Sequence, residues 1–93
     1  MAETPTSWTF FTNHTHVLLC LAQDPGILLR DVAKRVGITP RVVQRIVTEL
    51  NDGGYITRLR QGRRNTYQVH DKLPLRHAIE QQVSVADLLK VIL

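Results

Sequence analysis

A single cysteine, Cys20, stands among the 93 residues, so no disulfide can close within the chain. That composition suits a reducing compartment. No uncharged apolar stretch approaches the roughly 18 residues of a membrane span, and the N-terminus carries no basic-then-apolar leader. The expectation is an intracellular, cytoplasmic protein with no membrane partner. No glycine-rich phosphate loop occurs, no nucleophile stands beside a plausible base, and no paired carboxylates share a segment. An enzyme is therefore not expected, and no cofactor is implied. The length allows one domain with a modest core and no separate catalytic or sensory domain.

What charge there is sits unevenly. Between Arg30 and His70 nine basic residues face three acidic ones, a surplus of six, while the rest of the chain has three bases against five acids. The net +4 is thus concentrated in one segment. Such a distribution is the electrostatic footprint expected of a phosphate-binding surface.

Within that segment, Val43, Ile46, Val47 and Leu50 recur at i, i+3, i+4 and i+7 and form one apolar helix face. Arg41, Gln44, Arg45 and Thr48 repeat the spacing two residues earlier, roughly 200° away around the helix. One face can rest on a core while the other presents guanidinium, amide and hydroxyl groups outward. Those groups hydrogen-bond base edges and phosphates in the major groove of duplex DNA. Immediately after, residues 56–69 alternate around Gly62-Arg63-Arg64-Asn65 and predict a hairpin with a basic tip, Asn65 serving as a turn residue.

The remaining punctuation is consistent with this. Met1 to Ser7 is polar, contains Pro5 and is expected to fray. Asn13 is the expected cap of a first helix to about Gln23, with His14, Val17, Leu18 and Leu21 inward. Asp24-Pro25-Gly26 ends it, and Ile27-Leu28 can form a very short strand. A second helix is expected over about Leu29 to Val36, ended by a left-handed Gly37. Thr39 caps the third, with Pro40 in its first position. Asn51-Asp52-Gly53-Gly54 ends that helix. Ser84, with Asp87 three residues on, can cap a short apolar helix near the C-terminus.

In this order, the pieces resemble the winged helix-turn-helix of bacterial transcription regulators, and most of all the small MarR-like regulators. The likeness rests on Asp31-Val-Ala-Lys-Arg-Val-Gly-Ile-Thr39, Val43-Gln-Arg-Ile-Val-Thr-Glu-Leu50, Gly54-Tyr-Ile56 and Gly62-Arg-Arg-Asn65 before Tyr67. It covers about residues 13 to 70. The tail Leu73-Pro-Leu-Arg-His77, followed by Val83 to Leu93, is also similar to a small single-wing subgroup. Fuller members carry extra helices that build a dimer and a ligand pocket, and this chain has room for about one. The implied fold is α+β and mainly helical: a winged helix-turn-helix with a two-stranded wing and a short C-terminal helix. Residues 1–12 would be an extended N-terminal segment, 13–70 the DNA-binding domain, and 71–93 an extension that contributes to a dimer.

The resemblance implies sequence-specific binding of double-stranded DNA by a nucleoid-associated transcriptional regulator. The recognition helix, about 39–52, would enter the major groove, with Thr39, Pro40, Arg41, Gln44, Arg45 and Thr48 nearest the DNA. Val42 stays open between contact with a thymine methyl and padding of the helix flank. Arg60, Arg63 and Arg64 on the wing, about 57–69, would meet backbone or minor groove, each adding about one counterion to the salt dependence. A homodimer is expected through Trp8, Phe10, Phe11, Val85, Leu88, Leu89 and Ile92, because a helix under three turns long must dock on something. The alternative for that helix is packing on its own domain. Whether an effector binds stays open. Two other functions also stay open: a winged helix that binds proteins rather than DNA, and an ArsR-like metal or redox sensor using His16 and Cys20. The latter pair supplies only two ligands, and Cys20 reads better as a small semi-buried hydrophobe.

Overall fold

The computed structural model describes residues 8–93; the expectation for Met1–Ser7 falls outside them. The first helix, α1, is Asn13–Gln23. Its cap is Thr12, one residue earlier than expected, in extended conformation and without a side-chain cap bond. Asn13 is instead the first helical residue, and its Oδ1 accepts from His16 Nδ1 at 3.1 Å. The buried face of α1 is Val17, Leu18, Cys20 and Leu21. His14, expected inward, is exposed, and Cys20 is more deeply buried than a semi-buried hydrophobe, at 6% exposure.

No strand forms at Ile27-Leu28. The turn at Pro25-Gly26 and the start of α2 (Leu29–Val36) leave too short an extended stretch. The loop still meets the hairpin, because the Tyr67 amide donates to the Pro25 carbonyl at 3.0 Å. Helix α2 places Asp31 in its first turn and Lys34 and Arg35 in its last, matching the helix dipole. It ends at Gly37, whose φ is +87°, and the amides of Gly37 and Ile38 both donate to Ala33 O at 2.8 and 3.1 Å. Nothing lies within 4 Å of a methyl group added at Gly37, so a side chain there costs only backbone strain. Gly37→Ala is expected to lower stability in urea denaturation by about 1–2 kcal/mol; no change would mean the turn is not left-handed.

Helix α3, Pro40–Asp52, follows after three residues. Thr39 Oγ1 accepts from the Val42 amide at 3.2 Å, and Pro40 occupies the first helical position. Val43, Ile46, Val47 and Leu50 are buried. Strands β1 (Ile56–Gln61) and β2 (Arg64–Val69) pair antiparallel, from Ile56 with Val69 to Gln61 with Arg64. The hairpin tip is therefore only Gly62-Arg63. Gly62 has φ +62° and Arg63 does not share the left-handed region, as in a type II′ turn, whose strand twist suits a tight hairpin. Asn65, expected in the turn, lies in β2 opposite Arg60 and has no positive φ.

Residues 71–84 fold back along the domain. Leu75 N–H donates to Val83 O and Val85 N–H to Leu73 O, each at 2.9 Å. Helix α4, Val85–Ile92, starts with a reciprocal capping box: the Asp87 amide donates to Ser84 Oγ and the Ser84 amide to Asp87 Oδ2, both at 3.1 Å. Hydrogen bonding from Ser84, its backbone amide first and then its side chain, holds the Asp87 carboxyl below its ordinary pKa. One apolar cluster joins α1, α2, α3, Ile56, Tyr67 and Val85. No polar or charged side chain is buried among the described residues. The outcome is the mainly helical α+β winged helix-turn-helix with a two-stranded wing and a short terminal helix.

Two residues expected at a dimer interface lie instead in this core. Val85 is 1% exposed and Leu88 is buried, so α4 docks on its own domain. Leu89 is half-buried against the same cluster. The outward end of α4 is Val91, Ile92 and Leu93.

Candidate nucleic-acid interface

The core decides what α3 can offer. With Val43, Ile46, Val47 and Leu50 fixed inward, Arg41, Gln44, Arg45 and Thr48 emerge exposed on the opposite side. Thr39 and Pro40 are exposed at the helix N-terminus, with the Thr39 hydroxyl already engaged in its cap. Pro40 has no N–H and the Val42 and Val43 amides are bonded to Thr39, so the Arg41 amide and the positive dipole end are what favour an anion there. Val42 is half-buried and packs against the core, which fits padding of the helix flank.

Arg58, Arg60 and Arg63 are exposed on the wing. Arg63 occupies the turn itself. Arg60 folds toward the tip, its Nε donating to Gly62 O at 2.8 Å. Arg64 behaves differently: its guanidinium donates to the Gly26 carbonyl at 2.7 Å, 38 residues away. It points at the α1–α2 turn rather than outward from the tip.

An acidic residue, Glu49, stands one turn beyond Arg45 on α3. His14 Nε2 donates to Glu49 Oε1 at 2.6 Å, tying α1 to α3 through two side chains that are about half exposed. The hydrogen bond from His14 is the largest cause holding the Glu49 carboxyl below its ordinary value of 4.5, and the charges of His14, Arg45 and Arg76 act in the same direction. A lowered folded-state pKa contributes stability that is present above the ordinary value and lost as pH falls through the folded value. The wild type should therefore lose its advantage over Glu49→Gln in thermal melts as pH drops below 4.5. A constant difference across that range would mean the contact does not form. Nothing local in the sequence signals this pair, whose members are 35 residues apart.

Trp8 and Phe10 pack edge to face, their centroids 5.3 Å apart and planes at 83°. They are 65% and 90% exposed, and Phe11 is 41% exposed. His16 and Cys20 border an open groove that Ile92 and Leu93 also line. Among the described residues no three His, Cys, Asp or Glu side chains converge as a metal site. No described helix is long and apolar enough to cross a membrane.

Comparison with known proteins extends this geometry. Residues 12–57 match the family model for winged helix-turn-helix DNA-binding domains. No curated protein matches the chain in sequence. Among solved structures, the PcaV transcriptional regulator from Streptomyces coelicolor, determined with its natural ligand, is 28% identical with a TM-score of 0.57. The match covers 66% of this chain and 45% of PcaV, so the chain spans less than half of that protein. IscR from T. potens is similar in fold alone, with 15% identity and a TM-score of 0.61 over 91% of this chain and 88% of that one. Helix order and the two-stranded wing give the chain a winged helix-turn-helix fold, and residues 12–57 are similar to DNA-binding domains of that type.

Proposed function

We propose that the protein is a transcriptional regulator that binds double-stranded DNA in a sequence-specific manner. One observation carries this reading: α3 is held by an apolar face while Arg41, Gln44, Arg45 and Thr48 stand exposed on the other. In the proposal, α3 enters the major groove with Thr39 and Pro40 leading. Arg and Gln side chains suit bidentate contacts to guanine and adenine. Arg60 and Arg63 lie along the backbone or minor groove. The finer likeness, to small MarR-like regulators, rests on the motifs quoted above. The 28% identity to a transcriptional regulator supports the broader function.

The proposed division of labour gives residues 13–70 the DNA and residues 71–93 a part in pairing two copies. A homodimer would use Trp8, Phe10 and Phe11 together with Leu89 and Ile92 at the end of α4; Val85 and Leu88 no longer belong to that set. Two modules on half-sites about one helical turn apart would bind more tightly than one. Light scattering should return twice the 10.6 kDa chain mass; a stable monomer at micromolar concentration would remove the dimer.

Binding to mixed-sequence duplex DNA, measured across a salt series, tests the function. The affinity should fall steeply as salt rises, and RNA of equal length should compete poorly, because its deep, narrow groove does not admit a helix. Absence of binding at low salt would turn the reading toward a protein partner.

A further inference from the structure

We infer that Arg64 is the positioning residue that anchors the wing to the α1–α2 turn, and is not a phosphate ligand; the inference rests on the DNA-binding reading of the wing. Two bonds tie β2 to that turn. At mid-strand the Tyr67 amide donates to Pro25 O at 3.0 Å, and at the strand's start Arg64 donates to Gly26 O at 2.7 Å. Residues 64 and 67 lie three positions apart along the strand, roughly 10 Å, and their acceptors are neighbouring carbonyls of the turn. The hairpin is thereby held at two points on one edge. Without Arg64, the tip carrying Arg63 hangs from the Tyr67 bond alone on that side. A guanidinium is suited to this, because a charged donor makes a stronger bond to a carbonyl than a neutral one.

The surroundings argue against phosphate at this position. Arg64 and Gly26 line a cleft of about 420 Å³ between the wing and the start of α2. Asp24 and Asp31 line the same cleft. Carboxylates along that wall disfavour a phosphate entering the cleft. Arg63 and Arg64 are both exposed, but only Arg64 is tied back to the α1–α2 turn. Adjacent arginines in sequence thus divide into one that meets DNA and one that sets the angle at which it does so.

The test compares Arg63→Ala, Arg64→Ala and the double variant. In the free protein, amide exchange at Tyr67 should quicken about tenfold in Arg64→Ala, as expected for loss of a neighbouring bond, and should not change in Arg63→Ala. On mixed-sequence duplex DNA, Arg63→Ala should reduce the salt slope by about one. The double variant should bind no more weakly than Arg64→Ala alone, since an unanchored wing has already lost the Arg63 contact. Unchanged Tyr67 exchange in Arg64→Ala overturns the inference. So do additive losses, with the double variant reducing the slope by about two. Quickened exchange with DNA binding unaltered in all three variants keeps the anchor and removes the wing from the DNA interface instead.

Discussion

Arg41→Ala and Arg45→Ala are each expected to weaken binding to the preferred DNA site by about 1–3 kcal/mol, roughly tenfold to a hundredfold, with relaxed base preference. The melting temperature should hardly move. Both side chains are exposed and neither makes a bond that supports the core. Surface substitutions of this kind usually stay within about 0.5 kcal/mol of wild type. Arg45 adds one small term, since its charge helps hold the Glu49 carboxylate, but that attraction is solvent-screened. Electrophoretic mobility shift and thermal melting on the same preparations separate the two effects. A large fall in melting temperature would place these residues on the wrong side of α3. Unchanged affinity in both variants would remove the outward face from the DNA interface.

Ile46→Ala should do the reverse. Ile46 is 1% exposed, in the middle of α3 and within the cluster that joins all three helices of the domain. Truncating it removes apolar burial and leaves a cavity, which costs about 2–5 kcal/mol. Against a typical total of about 5–15 kcal/mol, that is a large fraction, and the melting temperature should fall by more than about 8 °C. The intact fraction at low temperature should still bind DNA, because no contact residue has changed. A near-neutral result would contradict the burial of this face. The pair of experiments addresses one helix from both sides: each face has one role, and neither substitution should mimic the other.

Much of this was legible in the chain because caps and breakers are local. Gly37, Thr39-Pro40 and Ser84 with Asp87 place helix boundaries by chemistry within a few residues, and the structure has the second, third and fourth helices where those signals put them. The opposed stripes of α3 needed only periodicity. What was not legible depends on partners far away in sequence. Periodicity marks Val85 and Leu88 as apolar but is silent on whether they meet a second copy or the same domain; Val85 belongs to the same core cluster as Ile56 and Tyr67. His14 looked like part of an inward stripe, yet it reaches Glu49 on another helix. Arg64 looked like its neighbour Arg63 until its partner at Gly26 was placed. The strand expected at Ile27-Leu28 is replaced by a bond at Pro25, two residues earlier. The hairpin tip was readable in principle: a glycine in the first central position specifies a two-residue type II′ turn, which puts Asn65 in the strand.

The central claim is that the outward face of α3 reads the sequence of duplex DNA. Selection from a random duplex library across a salt series, with an RNA pool competing, tests it most directly. The account predicts enrichment of a palindromic site whose half-sites lie about one helical turn apart, with binding that weakens steeply as salt rises. Salt-dependent retention without any enriched sequence, or no retention at low salt, would contradict it.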